Sequence, residues 1–290
     1  VGDVVVDQSG EPWVASFAGL GSVHIHADGT VNVTVDDAST SVDTVCEGTA
    51  TTELAESATV RESALRHGWG EPLSFIRRGF RLLRGTALVA AGRPGCLVVT
   101  GSASHTAMVT ASLVADGWSV LADGVVPVAT GDDGTIGIDG AVVAYPRTAT
   151  LLLPRRWARK SGLDAIEVRA DTDAVAVAVA RTTTPQTLVA VAHIRIRRPH
   201  DDVIRPLRGF EPFEQAAALL IANPALRPPA TTPTVELANH TLLAAVAHAE
   251  VSVRSDTLAA DIAAVEQWWQ AMTEPGEARS KEVRSNEGRP

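Results

Sequence analysis

Cys96-Leu97-Val98-Val99-Thr100-Gly101-Ser102-Ala103-Ser104-His105-Thr106-Ala107 is the stretch on which the fold turns. Cys96 to Thr100 form an unbroken apolar and β-branched run, the pattern of a strand buried on both faces. Gly101 ends the run, and Ser102-Ala103-Ser104-His105 reads as a short loop of small residues. Thr106 to Ala115 reads as a helix closed by Gly117, and Trp118-Ser119-Val120-Leu121 as the next strand. Strand, small-residue loop, helix and strand in that order make the layout of a phosphate loop.

Working outward, Thr86 to Ala90 reads as a strand, joined to Cys96 by the turn Arg93-Pro94-Gly95. Farther upstream, Pro12 to Phe17, Ser22 to His26 and Val31 to Val35 alternate or are β-branched, with Ala27-Asp28-Gly29-Thr30 as a hairpin turn. A polar stretch from Asp36 to Glu56 leads out of this module, and helical character runs from Ser57 to about Arg66. Downstream, strands are expected at Ile136–Ile138, Val142–Tyr145, Ala174–Val179 and Leu188–Ile196. Helices are expected at Phe213–Ala222 and Val235–Ala249, separated by a Pro-rich linker, then a strand at Glu250–Arg254. A last helix carries Leu258, Ile262, Val265, Trp269 and Met272 on one face, a stripe read as core packing. The polar tail beyond Thr273 is expected to be disordered.

The chain has 290 residues, 45% of them hydrophobic, enough for a sizeable core. No apolar run reaches the ~18 residues of a membrane span, so a soluble cytoplasmic protein without membrane association is expected. Cys46 and Cys96 lack metal-ligand spacing and read as reduced, buried thiols. Lys160 and Lys281 are the only lysines, and the richness in Ala, Val and Arg suggests a high-GC bacterial source. The net charge of −9 is concentrated: residues 1 to 60 hold ten Asp and Glu and no Lys or Arg. That argues against a nucleic-acid partner, because phosphate contacts need Lys or Arg.

The runs Leu83-Arg84-Gly85-Thr86-Ala87-Leu88-Val89-Ala90, Cys96 to Gly101, and Gly117-Trp118-Ser119-Val120-Leu121-Ala122-Asp123-Gly124-Val125-Val126-Pro127-Val128 resemble the HPr kinase family. They are closer still to the HPr kinase-related proteins of bacterial peptide-modification gene clusters. The resemblance covers about Leu65 to Val128 well, and runs more weakly through Arg198 and the C-terminal helices. It implies a mixed α/β (α+β) fold with a core shared with the phosphoenolpyruvate carboxykinases. The expected organisation is an acidic N-terminal β module over residues 1–60, an HPr kinase-like domain over 61–272 with C-terminal helices, and a tail over 273–290.

The resemblance also implies a nucleotide site, and this chain departs from it where the chemistry lies. A working loop needs small residues to wrap the phosphates, a lysine for the β and γ oxygens, and a hydroxyl for Mg²⁺. Counted back from Gly117, the lysine position holds Thr106 and the hydroxyl position Ala107. The loop is one residue short and lacks its inner glycines. Arg84 stands where the family has a His, and of the paired aspartates Asp123 remains while the second is Gly124. Four altered roles in one site read as loss of phosphotransfer chemistry. A helix starting near Thr106 still presents free N–H groups, and Gly101, Ser102, Ser104, His105 and Thr106 are candidates for holding an anion. The other reading of Ser104 or Thr106 is a plain helix cap.

Arg77, Arg78 and Arg81 are candidates for a peptide-binding groove, the alternative being a face paired with the acidic module. Arg195, Arg197 and Arg198 form a second basic cluster, and His240 and His248 read as surface or boundary residues of one helix. His24 and His26 share a strand face near Asp28 but lack a third confident ligand, so no metal site is assigned. The resulting expectation is a catalytically degenerate, HPr kinase-like accessory factor (a pseudokinase) that binds a peptide or partner enzyme in modified-peptide (RiPP) biosynthesis. It needs no cofactor. The alternatives are a rewired phosphotransferase using ATP and Mg²⁺ through Arg84, His105 and Asp123, or a nucleotide-binding regulator. Self-association is left open.

Overall fold

A computed structural model describes residues 4–17, 21–35, 62, 65–131, 135–137, 140–147, 151–168, 173–198, 200–221 and 232–274. The chain is mixed α/β, as the sequence predicts. Strands β1 (Val4–Asp7), β2 (Trp13–Phe17), β3 (Gly21–Ile25) and β4 (Val31–Val35) form an antiparallel meander. The expected hairpin turn is present between β3 and β4, with Gly29 at φ 86° and its N–H donating to the His26 carbonyl at 2.9 Å. Trp13, Ala15, Phe17, Val23 and Ile25 point inward from this module. They share one core with Leu65, Leu73, Phe75, Ile76 and Leu82, so the module is packed onto the residues that follow it.

A π-helical turn at Arg66–Gly70 runs into helix α1 (Glu71–Arg77), which lies beyond the helix expected from Ser57 to Arg66. Of that expected helix, Glu62, Leu65 and Arg66 alone are described. Pro72 sits in the first turn of α1, where its missing N–H costs nothing. Next come β5 (Arg81–Arg84), β6 (Thr86–Val89), β7 (Cys96–Gly101), helix α2 (Ala103–Ala115), β8 (Ser119–Ala122) and β9 (Val125–Val128).

The main sheet has the order β5-β9-β10-β14-β7-β6-β8, where β10 is Val143–Ala144 and β14 is Gln186–Ile196. Strand β14 runs parallel to β7 and to β16 (Ala247–Val253), and β16 also pairs with the short β15 (Ile204–Pro206). Separately, β11 (Leu152–Pro154), β13 (Ala174–Val177) and β12 (Ala165–Val168) form a small antiparallel sheet, with helix α3 (Arg155–Lys160) following β11. Helices α4 (Glu211–Leu219), α5 (Pro233–Ala244) and α6 (Leu258–Thr273) complete the chain.

Both faces of the parallel strands are covered, which is why they read as continuous apolar runs. On one face Leu97, Val99, Ala192, Ile194, Val251 and Val253 meet α2 and α6 through Val109, Leu113, Val265 and Trp269. On the other, Val98, Cys96 and Val191 meet Ala216 and Leu219 of α4 and Leu243 of α5. The last-helix stripe is core packing: Ile262, Val265 and Trp269 are buried. Burial pushes the Cys96 thiol up to about 12, so it is an inert core group; Cys46 lies outside the described residues. No described helix is long and apolar enough to cross a membrane.

Several boundaries differ from expectation. The helix expected to reach Ala249 stops at Ala244, and the strand begins at Ala247 rather than Glu250. Pairing with β14 from Ala190 to Ile196 supplies that segment's backbone partners, which outweighs the helix propensity of its alanines. His248 is therefore a buried strand residue and not a helical boundary residue. Its ring stacks on His193 at 5.2 Å; His193 Nε2 meets His248 Nδ1 at 2.9 Å, and His248 Nε2 meets the Leu243 carbonyl at 2.8 Å. The Leu243 carbonyl only accepts, so His248 carries its proton on Nε2 and receives the His193 Nε2–H. At Ile136 the expected strand is a single bridge to Thr130, and Ile138 lies outside the described residues, as do the Pro-rich linker up to 231 and the tail from 275.

Asp261, fully buried at the start of α6, joins three segments. It accepts from Arg197 Nη1 at 2.9 Å, from the Arg254 N–H at 3.0 Å and from the Thr257 hydroxyl at 2.9 Å. Asp261→Ala strips a partly buried guanidinium and two further donors of their acceptor. It is expected to lower stability by about 3 kcal/mol or more, measured by urea unfolding. Burial together with the neighbouring His248 lowers the His193 pKa from 6.5 to about 4. The unfolded chain therefore binds more protons than the native one in that window, and native stability drops as the pH falls through it. His193→Gln is expected to flatten that part of the stability–pH curve.

Candidate functional site

The backbone brings the ends of several strands together. Strand β6 is antiparallel to both β7 and β8, with Thr86 opposite Val99 and Ala87 opposite Ala122. Thr86 therefore starts β6 where β7 is about to end at Gly101 and β8 gives way to Asp123. Strand β5 ends nearby at Arg84, opposite Val125. The carboxyl ends of parallel strands are where open α/β sheets place their ligands, and here they gather Gly101, Asp123 and Ile194.

Asp123 is held on every side. The Thr86 hydroxyl donates to its Oδ1 at 2.6 Å, the Leu152 N–H approaches Oδ2 at 3.4 Å, and Arg147 Nη1 donates to its carbonyl at 3.0 Å. Arg147 is itself buried, pairs with Glu71 at 3.1 Å and donates to the His67 carbonyl. Burial pushes the Asp123 carboxyl above its ordinary range, against the opposing pull of Thr86, the Leu152 N–H and Arg147. Both carboxylate oxygens of this partly buried aspartate are thus engaged within the fold. Its neighbour Gly124 is exposed at φ 71°, and the Gly124 carbonyl accepts from the Gly85 N–H at 3.2 Å.

The largest correction concerns the loop. Strand β7 extends through Gly101 at φ 124°, and a Cβ there would lie 2.3 Å from the Ile194 carbonyl oxygen. Helix α2 then begins at Ala103, three residues before the expected Thr106. Only Ser102 separates strand from helix, and its carbonyl accepts from the His105 and Thr106 N–H groups at 3.0 and 2.8 Å. Ser104, His105 and Thr106 thus occupy the first turn of the helix. The close approach of Gly101 to Ile194 fixes where the chain leaves the sheet, and Ser-Ala-Ser-His has no glycine to hold an open loop beyond it.

Neither Ser104 nor Thr106 caps the helix, as the plainer reading proposed. Ser102 holds the capping position, yet its hydroxyl makes no capping bond and instead meets His105 Nδ1 at 3.1 Å. The Thr106 hydroxyl, at the lysine position, is buried without a hydrogen-bond partner. Sequence reasoning missed Arg156, whose Nη2 donates to Ser104 Oγ at 2.8 Å. The run Arg155-Arg156-Trp157-Ala158-Arg159-Lys160 was a visible basic signal, but nothing local places it beside α2. Arg147 was equally invisible.

The three arginines of the expected peptide groove each make contacts within the fold. Arg77 pairs with Glu11 of the acidic module, donates to the Ile25 carbonyl and lies over the Trp13 ring. Arg78 stacks on Phe75 and Phe80 at 4.5 and 5.4 Å. Arg81 is buried and bonded to Glu236 at 2.7 Å. Their charges are used within the fold, in part by the acidic module, as the alternative reading had it. In the second basic cluster, Arg195 pairs with Glu250 and Arg197 with Asp261. His24 bonds Ser22 and His26 bonds Asn32, each at 3.0 Å. Among the described residues no three His, Cys, Asp or Glu side chains come together as a metal site.

No protein-family model matches the chain, and no curated protein does. Among solved structures, the fold is similar to the Hpr(Ser) kinase/phosphatase from Coxiella burnetii, with a TM-score of 0.32 and 9% identity over 66% of this chain and 98% of that one. The likeness is distant.

The enclosed aspartate gives a pH test. A native carboxyl whose pKa is raised binds its proton where the unfolded one has lost it, so stability falls as the pH rises above the ordinary carboxylate range. Asp123→Asn removes this titration. Relative to the variant, the wild type is expected to lose stability as the pH rises above about 4, read from paired urea melts. A difference between the two that stays constant with pH would refute it.

Proposed function

We propose that this protein is a phosphotransfer-incompetent binding protein, serving a peptide or a partner enzyme as an accessory factor. The setting, bacterial modified-peptide biosynthesis, follows from the sequence resemblance. The observation that carries the loss of phosphotransfer is the passage of β7 into α2 through Ser102 alone. Phosphate loops work by wrapping successive backbone N–H groups around the β and γ phosphates. Here the corresponding N–H groups of His105 and Thr106 are already bonded to the Ser102 carbonyl. The position that would present a lysine holds a buried threonine hydroxyl, and the remaining aspartate is engaged by Thr86.

A rewired phosphotransferase fits less well, since His105 is turned to Ser102 and Asp123 to Thr86. The reading of a regulator that binds an anion without chemistry has one observation in its favour: Arg156 lies against Ser104 at the positive end of α2.

Thermal melts and calorimetric titration with ATP and GTP, with and without Mg²⁺, separate these readings. A Kd of about 10 μM at ~1 mM nucleotide stabilises the native state by about 2.7 kcal/mol. For a chain of this size that raises Tm by about 5 °C. The expected result is no such rise. Mg²⁺-dependent stabilisation of that size would overturn the proposal, and Mg²⁺-independent stabilisation by inorganic phosphate as well as nucleotide would favour the regulator.

A further inference from the structure

Among the described residues, eight arginines pair with a carboxylate. Arg77 pairs with Glu11, Arg81 with Glu236, Arg147 with Glu71, Arg197 with Asp261 and Arg205 with Glu211. Helix α3 breaks the pattern. Arg155, Arg156, Arg159 and Lys160 place four bases in six residues, all exposed, and among the described residues none is paired with a carboxylate. Arg156 reaches the Ser104 hydroxyl and Lys160 Nζ reaches the Ser255 carbonyl at 2.9 Å. Both lie over the Trp157 ring, at 5.2 and 5.3 Å. These contacts fix two of the side chains without cancelling their charge. The side chains of Arg155 and Arg159 have no hydrogen-bond or ion-pair partner among the described residues.

Local physics does not account for this arrangement. Arg155 and Arg159, and likewise Arg156 and Lys160, are like charges four apart, which repel on a helix surface. The macrodipole favours bases in the last turn, so it explains Arg159 and Lys160, while Arg155 and Arg156 stand at the unfavourable positive end. Leu152, three residues before Arg155 in the chain, is 37% exposed and Trp157 within the helix is half-buried, so the same segment also offers apolar surface.

We infer that helix α3 is the docking surface for an acidic, partly apolar peptide segment, which seats its carboxylates on Arg155 and Arg159 and an apolar side chain against Leu152 and Trp157. Guanidinium forks match carboxylates bidentately. A phosphate backbone is a poorer fit, because it offers nothing apolar to the exposed Leu152. This inference rests on the binding-protein reading above and gives that reading a surface and a chemistry.

The test is fluorescence anisotropy on the full chain with a labelled ~12-residue peptide of Asp, Glu and Leu, a neutral Ser/Leu peptide and a single-stranded oligothymidine. The acidic peptide is expected to bind saturably and to weaken as salt rises from about 50 to 300 mM. Arg155→Glu with Arg159→Glu is expected to weaken it at least about tenfold with Tm unchanged. A matched pair, Arg198→Glu with Arg208→Glu, alters two exposed arginines elsewhere and is expected to weaken it far less. Equal loss in both pairs would show that net charge alone is responsible, and would overturn the inference. So would tighter binding of oligothymidine or of the neutral peptide, or no binding of the acidic one. Failure of the binding-protein reading itself registers separately, in the nucleotide titration.

Discussion

The backbone of Gly101 lies so close to the Ile194 carbonyl that a side chain would overlap it, with the missing Cβ 2.3 Å from that oxygen. This contact locks the end of β7 to the end of β14 at the centre of the main sheet. It sets where α2 begins, since the chain leaves the sheet at Gly101 and turns helical after one residue. The burial of α2 against the sheet, and the enclosed position of Thr106, follow from that departure point. Only Ser102 lies between the strand and the helix.

Around this centre, arginine organises the polar interior. Arg147 ties the turn after β8 to the segment of Glu71 and His67, and so holds Asp123 in a closed setting. Arg197 and Asp261 pin the start of α6 to the strand ends. Arg77 and Arg81 fasten the acidic β module and α5 to the same body. Taking charges from water is costly, and these pairs return that cost by mutual attraction and by the extra donors each carboxylate receives. A surface helix whose bases have no carboxylate partner among the described residues contrasts with them, which is what makes α3 informative.

The parallel ladder also explains the histidine pair. With His248 brought onto β16, its ring falls beside His193 of β14, and burial keeps both below the ordinary histidine range. Had the segment stayed helical, as its alanines favour, the two rings would not meet.

Periodicity and turn chemistry in the sequence alone determined three of the four strands of the N-terminal meander with its Gly29 turn, the buried runs of β7 and β14, and the α6 stripe. Those features are local or depend only on which face is apolar, so a strand or helix period reveals them. The residue types at Arg84, Thr106, Ala107 and Gly124 were equally legible, because type is all that a sequence records. Three things were decided only by tertiary structure. The start of α2 at Ala103 depends on the close approach to Ile194, ninety residues later in the chain. The use of Arg77 and Arg81 within the fold depends on Glu11 and Glu236, which sequence distance hides. The placing of α3 beside Ser104 depends on the small sheet that carries it. Charge and hydrogen-bond partners in this protein are mostly long-range, and a one-dimensional pattern records which groups exist but not which of them meet.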